Sequence, residues 1–287
     1  ALELALAEGA QYAELRLVCE TTNSASLRDG KLHSAIPGQE VGATLRILAD
    51  GAWGVHSTTD IASIPSQIES TVRLAKAVAS RRNSADAGVC LAEVPIIKDE
   101  LHWHTRKDVR EIDLETRLEM MGQIHAEAND DERIISVRCG WSDEHLHHEL
   151  LTSEGMDRTW SFQRIMTNTM VTARDGDDVV SYRSRTGGEG GLELLDATDL
   201  GKMGRTCRES ALRLLSAERA PSGKMTLVAD RDLTGVYIHE ALGHPCEADL
   251  VAAGDSCLEG KLGEKIGSEL VTVIDDPLIR GGYGAYP

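Results

Sequence analysis

The chain has 287 residues, of which 41% are hydrophobic and 27% are charged, a balance typical of folded proteins with a buried core. Its 47 acidic side chains outnumber its 30 Lys and Arg side chains and give a net charge of -17, which repels the phosphates of nucleic acids and of lipid heads. Because the sequence also contains no apolar run of roughly 18 residues and no signal peptide, it predicts a cytoplasmic protein with no nucleic-acid or membrane partner.

The first eighty residues read as a helix, an antiparallel sheet and a second helix. A short helix is predicted over residues 1–7. Between Tyr12 and Ser57 the pattern alternates and is punctuated by Asp-Gly pairs at residues 29–30 and 50–51, which predicts three or four antiparallel strands joined by tight hairpins. Apolar side chains then recur at three- and four-residue steps over 61–78, which predicts an amphipathic helix packed on the sheet. We assign residues 1–80 to an N-terminal α/β domain.

A linker and a second sheet with helices are predicted next. Residues 81–108 are mixed in character and hold Gly88 and Pro95, which is typical of a linker. Helices are predicted over about 113–128, where acidic residues in the first turn suit the helix dipole, and over about 199–217. Between them, strand-like runs predict an antiparallel meander over residues 134–141, 147–152, 157–172 and 179–185. We assign residues 109–220 to a middle domain, and the fold class is α+β, with antiparallel sheets and packed helices.

The last region, residues 221–287, is predicted to be the start of a C-terminal domain. It opens with a short apolar strand at residues 225–229, followed by a periodic, helix-like segment from Leu233 to about Leu250. The chain has no initiator Met, and residues 281–287 form a turn-rich stretch with no closing element. We therefore expect both ends of this sequence to be cut.

The helix-like segment contains a motif with the composition of a metal site, His239-Glu240-Ala241-Leu242-Gly243-His244. Such a pattern arises by chance only roughly 0.03 times in a chain of this composition. On a regular helix, residues five apart are separated by about 140°, so both imidazoles cannot bind one zinc ion. Gly243 and Pro245 flank the second histidine and predict that the helix deforms or ends there, a π-bulge being one specific form.

The residue types indicate zinc-dependent amide hydrolysis. Neutral imidazoles are good zinc ligands, so His239 and His244 are predicted to bind the metal. Glu240 is predicted to act as the base that takes a proton from a bound water, whose pKa zinc lowers to about 7. A third protein ligand is required, and no spacing decides among the nearby candidates, which are Cys246, Glu247, Asp249, Asp255 and Cys257. Alternatively, both histidines make only ordinary hydrogen bonds on a half-buried helix.

The motif and its surroundings resemble the TldD/PmbA family, also called modulators of DNA gyrase. The motif looks like the metal site of the TldD branch, which the PmbA (TldE) branch lacks. The similarity covers residues 238–244 with Glu247 and Asp249, residues 263–270 and 274–277, and residues 12–16 and 50–55 near the other end.

This resemblance implies a zinc metalloprotease of the cytoplasm that works with a PmbA/TldE-like partner as a heterodimer. It implies N-terminal and middle domains and a C-terminal domain from about Pro221, of which only the opening is present. Its substrates would be unfolded peptides threaded into a closed chamber, including leader peptides of ribosomally made natural products and an antitoxin. His239 and His244 carry over as zinc ligands and Glu240 as the catalytic base, with the family's third ligand a distal cysteine, past Pro287. The alternative is a non-catalytic regulatory or binding subunit, or an inactive fragment without the third ligand.

Several other signals favour structural interpretations. His102 with His104, and His145 with His147, have the spacing of a second metal site, but solvated strand histidines are the preferred interpretation. The glycine-rich residues 186–191 lack the Gly-Lys-Ser/Thr of a phosphate loop and are predicted to form a flexible loop or a turn at the edge of the substrate site. Residues 175–178 are predicted to form a turn, because the glutamate of a calcium loop is absent. Nothing marks Cys246 or Cys257 as the activated thiol of a cysteine protease.

Overall fold

One seven-stranded sheet organises most of the chain in the computed structural model, which describes residues 1–81 and 89–287. The sheet belongs to a unit made of Ala1–Ala217 and Pro277–Pro287, and a second unit comprises Glu218–Asp276. Its strands are β1 (Tyr12–Arg28), β2 (Lys31–Ala49), β3 (Ala52–Thr58), β4 (Lys98–His102), β5 (Ile134–Thr152), β6 (Asp157–Asp175) and β7 (Asp178–Glu189).

The strand order is β3-β2-β1-β5-β6-β4, and β7 also pairs with β6. All neighbours are antiparallel except β4 and β6, which are parallel. Strand β1 pairs with β5 from Glu14 opposite Thr152 to Arg28 opposite Arg138, so the predicted N-terminal and middle sheets are one sheet. The α+β class is confirmed. The domain boundaries at 80 and 108 remain predictions, and the predicted linker contains strand β4, while its residues 82–88 lie outside the described ranges.

The N-terminal hairpins form as predicted at the two Asp-Gly pairs. Asp29 and Gly30 have φ values of 50° and 75°, and Asp50 and Gly51 have 51° and 74°. Positive φ at both central residues is the signature of the type I′ turn, whose twist matches that of the flanking strands.

Helices cover the sheet as the periodicity predicted. Helix α1 (Leu2–Ala7) and helix α2 (Ile64–Ala79), which follows a 3₁₀ turn at Ile61–Ser63, pack on the core around Leu45 and Ile47. Helix α3 (Leu114–Ala128) and helix α5 (Leu200–Leu215) pack on the core under β5 and β6, and the short helix α4 (Glu193–Asp196) precedes α5. The carboxylates of Asp113 and Asp199 accept backbone N–H groups at the starts of α3 and α5, which satisfies otherwise unpaired donors. None of the helices in the described ranges combines the length and apolar character that crossing a bilayer requires.

Strand β5 runs without a break, although two separate runs were predicted. The polar middle of the strand is accommodated by an ion pair, because the buried Asp143 carboxylate accepts the Arg117 Nε–H at 2.8 Å. Asn23 Nδ2 and Trp141 Nε1 donate to the same carboxylate at 2.8 and 2.6 Å. A buried charge is tolerated when it is paired and hydrogen-bonded, so a polar residue here does not interrupt the strand.

The prediction of a flexible loop at residues 186–191 is wrong for its first four residues, which belong to strand β7. Gly187 lies opposite Met166 on β6, and a Cβ atom on Gly187 would lie 2.1 Å from the carbonyl oxygen of Ile165. The glycine therefore allows two backbones to approach closely. The predicted turn at residues 175–178 is confirmed as the β6–β7 hairpin.

A strap formed by Pro277–Pro287 packs on the same unit. The Arg280 guanidinium donates two hydrogen bonds of 2.8 Å to the Glu189 carboxylate, whose side chain is only 1% exposed. Ala285 is buried, and its carbonyl accepts a hydrogen bond from Arg164. The strap is thus held by an ion pair and by apolar packing.

The second unit contains short helices, turns and irregular segments. Helix α6 (Arg231–Ile238) is capped by Asp230, and α7 (Ala248–Ala253) ends at Gly254, whose φ is 75°. Between them lie a π-helical turn (His239–Gly243) and a 3₁₀ turn (His244–Cys246). The predicted strand at residues 225–229 is wrong, since those residues pair with no strand in the described part of the chain.

Candidate metal centre

The motif histidines lie where helix α6 changes its winding. The backbone N–H of His244 donates to the carbonyl of His239, five residues earlier, which is the bond of a π-helix. The predicted π-helical turn is therefore present. It brings residues five apart onto one face, and the two imidazole centroids are 4.5 Å apart with ring planes at 68°.

Proline, rather than glycine, accounts for the change of winding. Pro245 has no N–H to donate to the carbonyl four residues earlier, so the α-helical ladder cannot continue through it. Gly243 has φ −57° and ψ −57°, which every residue type adopts in a helix. The predicted deformation is present, but it does not use the conformational freedom of Gly243. A Cβ atom on it would lie 3.7 Å from His239 Nδ1, an ordinary contact distance.

His239, Glu240 and His244 bring three ligand atoms together within 4.8 Å of one another. Among the described residues they are the only group of three or more His, Cys, Asp or Glu side chains that meets this criterion. His244 Nε2 lies 3.6 Å from Glu240 Oε2, and the Glu240 side chain is 63% exposed. The carboxylate is thus beside the paired imidazoles and open to solvent.

Glu247 contacts the other side of the second imidazole. Its Oε1 atom lies 2.6 Å from His244 Nδ1. From the sequence, Glu247 is only a candidate metal ligand, although its i, i+3 spacing from His244 on a short turn could have indicated this hydrogen bond. The remaining third-ligand candidates, Cys246, Asp249, Asp255 and Cys257, do not join the described three-residue group.

The donor set fits zinc. Imidazole nitrogens and carboxylate oxygens are ordinary zinc ligands, and a histidine ligand usually donates its second ring N–H to a carboxylate or carbonyl, as His244 can to Glu247. Catalytic zinc sites use three protein ligands, of which the motif supplies two imidazoles. Glu240 is left to act on water or to serve as a ligand.

Three of the four histidines at i, i+2 spacing border a polar cavity of about 190 Å³, and one of them, His104, lies beyond the end of strand β4 rather than on it. His102, His104 and His145 all border it, and His102 Nδ1 lies 2.7 Å from Ser161 Oγ. Burial, followed by the nearby Arg110, lowers the pKa of His145. Their ligand atoms do not form a described group of three, so the preference for structural histidines stands as a prediction.

Three family models match successive parts of the chain. The PmbA/TldA metallopeptidase domain 1 matches residues 13–79, the central domain matches 107–215, and the C-terminal domain matches 222–287. The last of these contains the motif.

Relatives named as metalloproteases align along nearly the whole chain. A metalloprotease of Methanothermobacter thermautotrophicus is 36% identical over 277 residues, which are 96% of this chain and 59% of that protein. A metalloprotease of Methanocaldococcus jannaschii is 32% identical over 98% of this chain and 61% of its own length. A protein of Saccharolobus solfataricus named zinc metalloprotease TldD homolog is 22% identical over 94% of this chain and 57% of its own length. The chain thus spans about three fifths of the curated relatives it matches.

Solved structures share the fold. A Bacteroides thetaiotaomicron protein proposed to be a modulator of DNA gyrase has a TM-score of 0.78 at 23% identity, over 98% of this chain and 63% of that one. TldE from Thermococcus kodakarensis has a TM-score of 0.67 at 16% identity, over 98% and 62%. At these identities the likeness is one of fold alone.

Proposed function

Because the chain belongs to the PmbA/TldD family of metallopeptidases, we propose that it carries the zinc-binding and catalytic motif of a peptidase. The single observation that carries the proposal is the cluster of His239, Glu240 and His244 created by the π-helical turn. The names of the relatives support the same reaction class.

In this proposal His239 and His244 hold the metal through ring nitrogens, as zinc prefers. A zinc ion supplies a Lewis acid that polarises a carbonyl and lowers the pKa of a water molecule. Peptide hydrolysis adds water to the carbonyl carbon and breaks the C–N bond, so one proton must leave the water and one must reach the departing amine. The exposed Glu240 carboxylate accepts the first proton and returns it to the amine.

The proposal also covers the third metal ligand, the substrate and the partner subunit. We propose that a cysteine past Pro287 in the longer protein completes the site, as the family resemblance implies. The substrates are unfolded peptides, including leader peptides, and the partner is a PmbA/TldE-like subunit in the cytoplasm. The fold shared with TldE supports a pair of related subunits.

The test uses the full-length protein with its partner and a fluorescent unfolded peptide. Zinc content is measured in parallel with cleavage. We expect Glu240→Gln to reduce cleavage by about 10²- to 10⁴-fold while zinc remains bound, because general-base catalysis contributes about that factor. His239→Ala should lose both zinc and cleavage, and Glu259→Gln, an exposed acid in the same unit, serves as the charge-matched control.

Two outcomes would overturn the proposal: cleavage by Glu240→Gln at the unmutated rate, or an unmutated protein that binds no zinc. A second function, a non-catalytic binding subunit, is favoured by one observation: in the described group the only ligand besides the two imidazoles is Glu240, so a Glu240 that binds the metal would leave no base for the water. Stoichiometric zinc without cleavage of any unfolded peptide would select it.

A further inference from the structure

The side chain of Glu247 hydrogen-bonds to His244 rather than to the helix that Glu247 begins. Glu247 is the N-cap residue of α7, with φ −64° and ψ 129°, yet its side chain makes no hydrogen bond to the backbone of that helix. Short polar side chains at this position ordinarily satisfy free N–H groups of the first turn. The Glu247 carboxylate instead reaches back to His244 Nδ1 at 2.6 Å.

The backbone between the two residues is held in a tight turn. The N–H of Glu247 donates to the carbonyl of His244 at 3.0 Å, which closes the 3₁₀ turn. Pro245 restricts the same turn, and its carbonyl accepts the hydroxyl of Ser256 at 2.5 Å. The backbone therefore needs no further ordering when the carboxylate contacts the ring, and the entropy lost is that of the Glu247 side chain.

The hydrogen bond to Glu247 determines which ring nitrogen of His244 carries the hydrogen. A neutral imidazole has one N–H donor and one acceptor nitrogen, and a carboxylate only accepts. If Nδ1 of His244 carries the hydrogen toward Glu247, Nε2 is left as an acceptor, 3.6 Å from the Glu240 carboxylate oxygen. Nε2 and the Glu240 oxygen would then both be acceptors, which cannot hydrogen-bond to each other. A cation bound between them would interact favourably with both.

We propose that Glu247 is a positioning residue that holds His244 in the Nδ1–H tautomer, so that Nε2 is presented to the metal. This inference rests on the proposed function. It also removes Glu247 from the set of third-ligand candidates, since the two ring nitrogens of His244 face in different directions and the carboxylate lies on the Nδ1 side. Carboxylates in this role typically change metal affinity by 10- to 100-fold.

The experiment measures zinc affinity of the full-length protein by competition with a chromophoric chelator. We expect Glu247→Ala to weaken zinc binding by about 10- to 100-fold. Glu247→Gln keeps an oxygen that accepts the Nδ1–H but loses the charge, so it should recover part of that loss. The matched control Glu259→Gln removes an equivalent charge from an exposed residue outside the two ion pairs described for His244, and it should leave the affinity unchanged.

A second readout, independent of zinc, follows the tautomer. Long-range ¹H–¹⁵N spectra of the metal-free, ¹⁵N-histidine-labelled protein report which ring nitrogen of His244 carries hydrogen, with His244→Ala used for assignment. We expect Nδ1–H in the unmutated protein and a shift toward Nε2–H in Glu247→Ala. Because Glu247 is about half exposed and makes no cap bond, Glu247→Ala and Glu247→Gln should both keep the unmutated melting temperature.

Unchanged zinc affinity in Glu247→Ala, or a His244 ring with the same protonation in all variants, would overturn the inference. A doubly protonated His244 in the metal-free protein would do so as well, because the ring would then be an imidazolium paired with two carboxylates. Failure of the proposed function is distinguishable: the protein would bind no zinc, or His239→Ala would bind it normally, while the tautomer result would stand on its own.

Discussion

Two glycines in the paired helices α3 and α5 predict opposite effects of the same substitution. A Cβ atom on Gly204 of α5 would lie 2.2 Å from the carbonyl oxygen of Ile124 and 3.3 Å from the backbone nitrogen of Ala128, both on α3. Gly122, in the interior of α3, has no atom within 4 Å of the corresponding position. Gly204→Ala therefore places a methyl group in a backbone contact, whereas Gly122→Ala places one in open space.

The magnitudes follow from helix propensity and packing. Alanine is about 1 kcal/mol better than glycine in a helix interior, so Gly122→Ala should raise the free energy of unfolding by about 1 kcal/mol. Gly204→Ala makes the same gain, but overpacking costs about 1–3 kcal/mol. We take the upper end, because the close atom is backbone and Cβ contacts below 3.0 Å are essentially absent from proteins. The net effect is a loss of about 2 kcal/mol.

Urea unfolding followed by tryptophan fluorescence tests both values, since Trp141 lies in the core that α3 and α5 cover. With a slope of about 3 kcal/mol per molar urea, Gly122→Ala should raise the midpoint by about 0.3 M and Gly204→Ala should lower it by about 0.7 M. Shifts of the same sign, or a midpoint for Gly204→Ala at or above that of the unmutated protein, would refute the close approach of the two helices.

Arg280→Ala leaves the buried Glu189 carboxylate without its cation. Breaking a fully buried ion pair costs about 3–5 kcal/mol, and because Arg280 is half exposed we expect the strap to lose about 2 kcal/mol of stability. Faster hydrogen exchange across Pro277–Pro287 would report this loss. Burial raises the pKa of the Cys139 and Cys207 thiols from 9.0 to about 11. Unfolded thiols therefore ionise first, so urea midpoints should fall as the pH rises from about 9 to 11, and less so in Cys139→Ala. Gly243→Ala should keep zinc affinity within about threefold in the chelator assay, because its φ is helical and the added methyl makes an ordinary contact.

Local features of this protein were predictable from short stretches of sequence. The Asp-Gly pairs specify hairpins because few residues other than glycine, asparagine and aspartate adopt positive φ at low cost. The spacing of His239 and His244, with Pro245 after them, predicts a turn that is wider than an α-helix. Each of these depends on dihedral preferences and hydrogen bonds within about five residues.

The sheet could not be predicted in the same way. Alternation shows which side chains of β1 and β5 share a face, but not that the two strands are neighbours, since they are more than a hundred residues apart. Asp143 lies between the two strand-like runs predicted within β5, and the partner that accommodates it, Arg117, lies on another element. Gly187 was predicted to lie in a loop for a similar reason. The β6 backbone, which leaves no room for a Cβ atom at this position, is not adjacent to Gly187 in the sequence.

The amino-acid sequence by itself determined the hairpins, the principal helices, the π-helical turn and the identity of the clustered motif residues. Only the tertiary structure decided the strand order, the continuity of β5 and the packing of the strap on strand β7. The physical reason is range: backbone sterics and capping act between residues that are close along the chain. Strand partners and buried charges are chosen by burial and pairing between segments that meet only after the chain has folded.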